Sequence, residues 1–564
     1  AIADEEDRTG TIKGSVTDYE TKTLLPGTNV LIVGTPMGAA ADAEGKFTIQ
    51  KVPVGNYTLE FRIIGYAPLR KTDIIVKSER STIVQAELKM TLVETQGVEV
   101  TGGYFSQSEE QPTSLVNFSY EEIRRAPGSG GDISRILMGL PSLAKVNDQS
   151  NSLIVRGGSP VENGFFVDNI EVPNINHFPA QGSSGGPIGL LNVDFIQDVN
   201  FYTGGFSSMY GDKLSSILDV TFREGNREEI DVQAELSFAG VGAVAEGPLL
   251  SKNGSWLISA RRSYVDLLLN AVGAKGVAVR YGDYQGKFVY DLNPDNTMTL
   301  VAISGYDHSD ADKDHGEIIY GSNNVWENTV GLNWRSLWGK GGYSNTSLAY
   351  TSTEYRDDFY ETGTDMYFIR NRSLERTVSL RNVNYARLNE TQRVEFGVAA
   401  KHPYHSYDNF LAATSDALGG AVPSLSINRN ISANSIGAFV SFIWNPLTEL
   451  TTTTGLRFDY FSYNKNFHIS PRISLLYKID EQTSVTGSSG IFYQTLPLNI
   501  LAQNAGNKNL RDPVAYHYVL GVNRLLTENT RLTLEVYDKE YDNFPLDPSS
   551  PPLFIIDELL YRYG

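Results

Sequence analysis

The chain has 564 residues, too many for one ordinary domain, and its length suggests two to four. Its 66 acidic and 47 basic residues leave a net charge of -19, a poor balance for binding nucleic acid, which needs a basic face to neutralise phosphate. With no Cys in these 564 residues, disulfides, thiolate metal sites, thiol nucleophiles and a lipidated N-terminal cysteine are not expected. No apolar run reaches the ~18–20 residues of a membrane-spanning helix, although a β-barrel escapes that test because its apolar residues alternate with polar ones. The opening Ala1-Ile2-Ala3-Asp4-Glu5-Glu6-Asp7 lacks an apolar leader, would suit a processed N-terminus, and is read with the next residues, 1–9, as a flexible lead.

Residues 10–92 read as short strands broken by turns. Thr11 to Thr17 alternates, Val30-Leu31-Ile32-Val33 is a buried run, Asp42 to Ile49 is a turn entering a strand, and Val54 to Phe61 follows. Such segments argue a small all-β sandwich. The spacing of Gly14, Pro26-Gly27, Asp42, Gly45, Phe47, Gly55-Asn56-Tyr57 and Gly65-Tyr66 resembles the carboxypeptidase-regulatory-like domain. No nucleophile–base or metal pair accompanies it, so its residues read as turns and core.

Residues 93–103 form a linker with a β-prone stretch, Val98-Glu99-Val100-Thr101, which also reads as a last strand of the sandwich. Residues 104–226 mix helix and strand. Asp132 is a good N-cap, Ile133, Ile136, Leu137 and Leu140 share a helical face, and Pro141 stops the helix. Ser152 to Val155 leads into Arg156-Gly157-Gly158; Asn163 to Val172 is a hairpin around Asp168-Asn169; Val193 to Tyr202 precedes Gly204-Gly205; Met209-Tyr210-Gly211-Asp212 and the strand Ser216 to Phe222 close the unit. A phosphate cradle at Arg156-Gly157-Gly158 or Gly182 to Gly186 would need a Lys-Ser/Thr tail or a strand-to-helix position, and both are missing.

The ordered set of Leu140-Pro141, Val155-Arg156-Gly157-Gly158, Phe166-Val167-Asp168-Asn169, Gly204 and Ser208-Met209-Tyr210-Gly211 resembles the plug domain of TonB-dependent outer-membrane receptors. The chain departs from that pattern in having Asn169 after Asp168 and Leu214-Ser215-Ser216 after Tyr210-Gly211; Asn tolerates the left-handed turn that Gly would supply.

From Glu228 the chain is a succession of alternating segments, and residues 227–564 read as a large antiparallel transmembrane β-barrel. Thr530 to Tyr537 sets Leu532, Leu534 and Val536 against Thr533, Glu535 and Tyr537, and the 31 Tyr suit interfacial girdles. Tight turns such as Asn293 to Asn296 and Asn389-Glu390-Thr391 alternate with polar stretches read as long loops, about 308–324, 357–370, 407–428, 496–512 and 541–552. Short turns on one rim and long loops on the other place the short rim in the periplasm. The fold expected is therefore mostly β: sandwich, small α/β plug and barrel.

Strand-like segments number about fourteen to sixteen, while barrels of the resembled family have about twenty-two. The barrel is expected to continue beyond Gly564, leaving the strand near Ile230 and the last strand unpaired with each other; the rival is a closed barrel of about sixteen strands.

Three further groups invite a chemical reading. Asp310, Asp312 and Asp314 approach a calcium loop, but Gly316 falls late and no Glu stands at the twelfth position, which leaves a solvated loop as the alternative. His402 and His405 are two imidazoles without further ligands. Arg261-Arg262 suits lipid headgroups, plug carboxylates or a lumen ion pair.

The resemblance implies import across the outer membrane powered by a TonB-type protein, which would grip Val98 to Thr101 by strand addition. It implies a small-molecule, glycan or peptide ligand, contact with outer-membrane lipid, plug motifs at Arg156, Gly157, Gly158, Asp168, Gly204, Tyr210 and Gly211, and no cofactor. Arg156 is expected to face the wall and pair with a lumen carboxylate, with Glu235, Glu246 and Asp219 as candidates. A second reading makes the barrel a scaffold for envelope protein partners. An outer-membrane enzyme would need a catalytic set that the sequence does not supply.

Overall fold

A computed structural model describes residues 9–19, 21–78, 81–90, 113–126, 132–144, 150–182, 185–236, 240–251, 253–264, 278–313, 318–415, 421–480, 482–527 and 530–545. Alternation over residues 9–88 produces seven strands: β1 (Thr9–Asp18), β2 (Asn29–Ile32), β3 (Gly38–Ala40), β4 (Lys46–Pro53), β5 (Gly55–Arg62), β6 (Leu69–Val76) and β7 (Ser81–Leu88). One sheet has the order β4-β1-β7 with β1 and β7 parallel, and the other has the order β3-β2-β5-β6. Their inner faces bury Ile12, Val16, Val30, Leu59 and Phe61, with Phe47 set edge-on to Phe61 at 5.6 Å. Gly14 allows the parallel pair to close up, since a Cβ there would sit 1.7 Å from the Val84 carbonyl oxygen.

The middle segment contains β8 (Leu115–Ser119), α1 (Tyr120–Arg125), α2 (Ile133–Leu137), β9 (Asn163–Val167), β10 (Ile170–Val172), β11 (Ile196–Tyr202) and β12 (Ser216–Phe222). Five of these strands make a sheet in the order β10-β9-β12-β11-β8, with β9 and β12 parallel. Asp132 caps α2 by accepting from Ser134 N, and the helix stops after one and a half turns, ahead of Gly139 and Pro141. The short helix α1 was not legible, because Tyr120-Glu121-Glu122-Ile123-Arg124-Arg125 is one turn and a half of mostly charged residues, too short to show a helical apolar period.

The remaining strands are β13 (Asp231–Leu236), β14 (Gly240–Pro248), β15 (Gly254–Ser263), β16 (Ala278–Asn293), β17 (Asn296–Ala311), β18 (Ile319–Leu337), β19 (Gly342–Glu361), β20 (Tyr367–Arg387), β21 (Gln392–Leu411), β22 (Leu425–Ser432), β23 (Ser435–Leu447), β24 (Leu450–Phe461), β25 (Asn466–Lys478), β26 (Thr483–Tyr493), β27 (Val514–Thr527) and β28 (Thr530–Asp542). They form one antiparallel sheet of 16 strands, in which β22 pairs with the upper half of β21 and β23 with its lower half. A further helix, α3 (Leu498–Gln503), packs Leu498 and Leu501 against Tyr407, Ile427 and Phe461 inside the upper wall. Among the described residues β13 bonds only to β14 and β28 only to β27, so these two strands are not paired with each other; residues 546–564, on which the expected final segment falls, lie outside the described residues.

Alternation sorts the side chains. Leu348, Leu380, Val398, Val440, Leu475 and Leu534 point outward and are exposed, while Ser347, Val383, Phe439 and Ser474 point inward and are buried. The outward faces carry Tyr290, Trp334, Phe396, Trp444 and Tyr477 near the short-turn rim.

Three of the five expected long loops, 308–324, 357–370 and 407–428, are largely strand among the described residues, while 496–512 is a helix with irregular chain and 541–552 lies mostly outside the described residues. β18 to β21 run for 19, 20, 21 and 20 residues, so β17 extends to Ala311, and Glu361 and Tyr367 bracket a short turn. Spanning takes ~9–11 residues. Above that height both faces of the sheet meet polar surroundings, so the backbone ladder continues while the apolar alternation that marks a strand disappears.

Leu348→Arg should cost about 2–4 kcal/mol in a urea titration of folding into lipid vesicles, as a charge at the lipid-facing midplane does. Leu348→Ala should cost far less, and equal costs would place Leu348 off the lipid face.

Candidate functional site: the plug–barrel interface

The middle segment sits inside the barrel, and its irregular loops meet the wall through polar groups. Arg156 has φ +50°, followed by Gly157 at +79°, and this left-handed step turns the side chain to the wall. Its guanidinium pairs with Glu535 on β28, donates to Ser114 Oγ at 2.9 Å and lies 4.5 Å from the Tyr537 ring. The expected lumen carboxylate is therefore present, but none of the three candidates supplies it. Glu246 binds Arg223 at 2.6 Å, Asp219 accepts from Tyr210 Oη at 2.7 Å, and Glu235 lies on β13. Glu535 was missed because pairing across 379 residues depends on which strand the plug loop faces.

The Asp168-Asn169 turn has φ +47° and +66°. Asp168 forms an ion pair with Lys287 Nζ at 2.9 Å and accepts from Phe222 N at 3.1 Å, its carbonyl accepts from Asn333 at 2.5 Å, and Asn169 donates to Ser347 at 2.6 Å. The side chain of Asn169 thus does what a glycine cannot, tying the turn to the wall. Gly211 admits an arginine: a Cβ there would lie 1.9 Å from Arg457 Nε. Gly204 and Gly205 have φ +158° and +59°, and Gly205 N donates to His517 at 3.3 Å.

Barrel cations seek plug carbonyls repeatedly. Arg472 donates to the carbonyls of Phe206, Ser207 and Tyr210 at 3.1, 2.5 and 2.8 Å. Arg457 reaches Ser208 O at 3.2 Å, Lys539 reaches Ser215 O at 3.3 Å and Lys287 reaches Phe222 O at 2.5 Å. Arg261 combines a lumen ion pair with Asp283 at 3.0 Å and a hydrogen bond to Leu190 O at 2.6 Å, whereas Arg262 points outward. Arg381 lies over the rings of Phe166 and Tyr210 at 4.6 and 5.2 Å. A cavity of about 40 Å³ remains between Phe166, Glu171 and Met209 of the plug and Arg381, Lys401 and Arg457 of the wall. It has room for roughly three waters.

His177 is a fully buried ionisable group at this interface. Its Nδ1 lies 2.6 Å from Asp307 Oδ1 and its Nε2 3.3 Å from Asp283 Oδ2, while Phe178 N donates to Asp307 Oδ2 at 2.7 Å. Burial alone would depress its pKa, but the two carboxylates overcome that and hold it at about 9. Asp132 lies on the same side of the plug, where it accepts from Asn151 and Gly189 N; burial pushes its carboxyl up against those hydrogen bonds.

Three family models cover this architecture. "TonB dependent receptor-like, beta-barrel" matches residues 247–561, "TonB-dependent Receptor Plug Domain" 107–215 and "CarboxypepD_reg-like domain" 12–100. The chain belongs to the TonB-dependent receptor family. It is an outer-membrane β-barrel protein with an internal plug. Among curated proteins the receptor is similar to the TonB-dependent transporter Oar of Myxococcus xanthus, at 29% identity over 234 residues, covering 39% of this chain and 21% of Oar. The chain thus matches about a fifth of that relative's length. Its fold is shared by the ferric enterobactin receptor PfeA of Pseudomonas aeruginosa, at 16% identity and a TM-score of 0.57 over 78% of this chain and 74% of that one. It is shared also by the siderophore receptor PirA of Acinetobacter baumannii, at 15% identity and 0.58 over 78% and 72%.

The receptor brings most of its sequence-selected plug residues to one interface: Arg156, Asp168, Gly204, Tyr210 and Gly211 all lie against the wall or beside residues that do. Gly157 and Gly158 shape the Arg156 turn, and a Cβ on Gly158 would strike Ser215 Oγ at 2.4 Å. The calcium-loop reading finds no support at Asp310, whose carboxylate binds His308 at 2.5 Å and Arg280 at 3.5 Å at the end of β17. Asp312 lies just beyond that strand, and Asp314 lies outside the described residues, as do Val98, Glu99, Val100 and Thr101. His402 and His405 fall on opposite faces of β21 by parity, bonded to Asn434 and Tyr407 respectively. The cations Lys287, Arg457, Arg472 and Lys539 and the His177 cluster were not selected from sequence, though each barrel member stands at an inward position of an alternating strand.

The stabilisation that charged His177 lends the seated plug should be complete below pH 6.5 and fade as pH rises through 9. His177→Gln should flatten that dependence in thermal unfolding of detergent-solubilised receptor and lower stability by about 3–5 kcal/mol by leaving Asp283 and Asp307 without their shared cation. Gly211→Val should push Arg457 off the plug carbonyls and cost about 1–3 kcal/mol, read as faster hydrogen exchange at 208–212.

Proposed function

We propose that the receptor imports a scarce ligand across the outer membrane and draws the energy from a TonB-type protein that grips Val98 to Thr101. The observation that carries this reading is the character of the plug seal. The plug is held by cations on backbone carbonyls and by ion pairs such as Arg156–Glu535 and Lys401–Glu171, beside a cavity large enough for water. Each such contact is worth ~0.5–3 kcal/mol net because water replaces it when it opens. A seal of this kind blocks diffusion at rest and opens stepwise under pulling. A continuous apolar core would expose its whole surface at once.

Strand addition at Val98 to Thr101 suits the pulling end, since a row of backbone hydrogen bonds resists force along the strand with little demand on side chains. The ligand classes are siderophore, cobalamin, glycan and peptide. The ferric enterobactin receptor PfeA and the siderophore receptor PirA share the fold, and Oar is a TonB-dependent transporter; selectivity lies in extracellular surfaces that diverge within a fold.

Deletion of residues 94–101 should abolish accumulation of labelled candidate ligands from these classes while leaving barrel insertion intact. Dissipating the proton gradient should do the same to the unaltered receptor. Normal accumulation by the deletion strain would refute the reading.

A further inference from the structure

Among the described residues the sandwich is bonded to the barrel at two separated places. At one, Lys13 of β1 pairs with Glu228, and Ser81 at the start of β7 donates to Glu229 at 3.0 Å. Both glutamates immediately precede β13, the first strand of the wall, at its short-turn rim. At the other, Arg387 at the foot of β20 lies 3.4 Å from both carboxylate oxygens of Asp18 and 3.6 Å from Met90 Sδ. β20 is the eighth strand of the meander, so the two anchors stand on well-separated arcs of the same rim.

The two ends of one strand pair meet these anchors. β1 and β7 run parallel with Thr11 opposite Ser81 and Asp18 opposite Leu88, so Lys13 and Ser81 mark one end and Asp18 and Met90 the other. Lys13 and Asp18 are ~17 Å apart along the strand, and extended Lys and Arg side chains carry the reach to about 30 Å. Eight tilted strands of a barrel occupy about 45 Å of wall, a chord of about 35 Å. The reach of the strand pair with its extended side chains, about 30 Å, is therefore close to the chord of about 35 Å between the two rim positions.

The chemistry at the Arg387 end is that of a formed interface. Asp18 and Arg387 side chains are 2% and 14% exposed, and Asp18 is already fixed by accepting from Thr21 N at 2.7 Å and Tyr66 Oη at 2.9 Å. A guanidinium takes up a desolvated position of this kind when the carboxylate facing it is preorganised.

We propose that the sandwich is a cap, docked across the periplasmic mouth through both ends of its β1–β7 pair. The barrel rim at Glu228-Glu229 and Arg387 is the docking surface, and residues 9–90 of the same chain are its occupant. The cap covers the mouth beneath the plug, so a periplasmic partner reaches the plug only after at least one anchor releases.

These 564 residues contain no cysteine, so thiol pairs placed in them report the docking directly once any cysteine elsewhere in the receptor is replaced by serine. Full-length receptor in outer-membrane vesicles would carry Ser81→Cys with Glu229→Cys, or Met90→Cys with Leu388→Cys, and be treated with a short bismaleimide. Both matched pairs should crosslink within the chain about tenfold faster than the mixed pairs Ser81→Cys/Leu388→Cys and Met90→Cys/Glu229→Cys, because a docked cap fixes a high effective concentration only at matched ends. Arg387→Glu, which sets like charges against each other at Asp18, should slow the distant Ser81/Glu229 crosslink severalfold. Heat-modifiable mobility checks that each variant retains its barrel, and Arg387→Gln replaces the reversal if insertion fails. Mixed pairs as fast as matched ones, one silent anchor, or a distant crosslink indifferent to Arg387 would each overturn the cap. None of these readouts involves ligand or transducer, so import and cap stand or fall separately.

Discussion

Irregular backbone inside a barrel must find hydrogen bonds where strand ladders cannot supply them, and that constraint governs this structure. The plug presents carbonyls at Leu190, Ser207, Ser208, Ser215 and Phe222, and the wall answers with Arg261, Arg472, Arg457, Lys539 and Lys287. Long cationic side chains suit the task. They bridge a variable gap, offer several donors each, and a charged donor is worth about 1.5–3 kcal/mol net where a neutral one gives about half. Carboxylates such as Asp283, Asp459 and Glu535 then balance the charge locally. A protein with a net charge of -19 therefore lines its lumen with cations and carboxylates together, and the sum over the sequence says little about the site.

Backbone geometry makes that arrangement possible. Alternation along each wall strand sends one residue to lipid and the next to the plug, so a strand such as β25 carries Ile473 and Leu475 outward while Arg472 and Ser474 face inward. On the plug side, left-handed residues at Arg156, Asp168 and Asn169 turn carbonyls and side chains toward the wall. Glycine serves where the wall comes closest, as at Gly211 under Arg457. The apolar core of the plug, around Phe165, Leu218, Val220 and Phe222, keeps its own sheet intact behind this polar shell.

A seal built this way can be both tight and reversible. Buried ion pairs and charge-assisted hydrogen bonds hold position strongly when all are formed, yet each exchanges with water once a neighbour has opened. The cavity beside Arg381 and Lys401 leaves space for water at one point of the interface. The His177 cluster lies on a different arc, against β16 and β17, and is fully enclosed, so the two arcs of the interface resist opening unequally.

Alternation, glycine turns and the order of short motifs were written in the chain, and with them the sandwich, the plug and the barrel. They are local properties: a strand's facing follows from parity, and a turn at Asp168-Asn169 follows from residues that tolerate positive φ. The same local logic misread the upper strands as loops, since above the membrane β18 to β21 meet polar surroundings on both faces and lose the apolar rhythm. It also left α1 unseen. Partner choice was beyond it altogether. Arg156 was recognisable as a residue in need of a carboxylate, but Glu535 became that carboxylate through the rotation of the plug within the wall, which no stretch of sequence encodes. His177 between Asp283 and Asp307, and Arg387 beside Asp18, belong to the same class. Facing is a property of neighbours one or two residues apart, whereas pairing across hundreds of residues exists only once the barrel has curved and the plug has taken its orientation inside it.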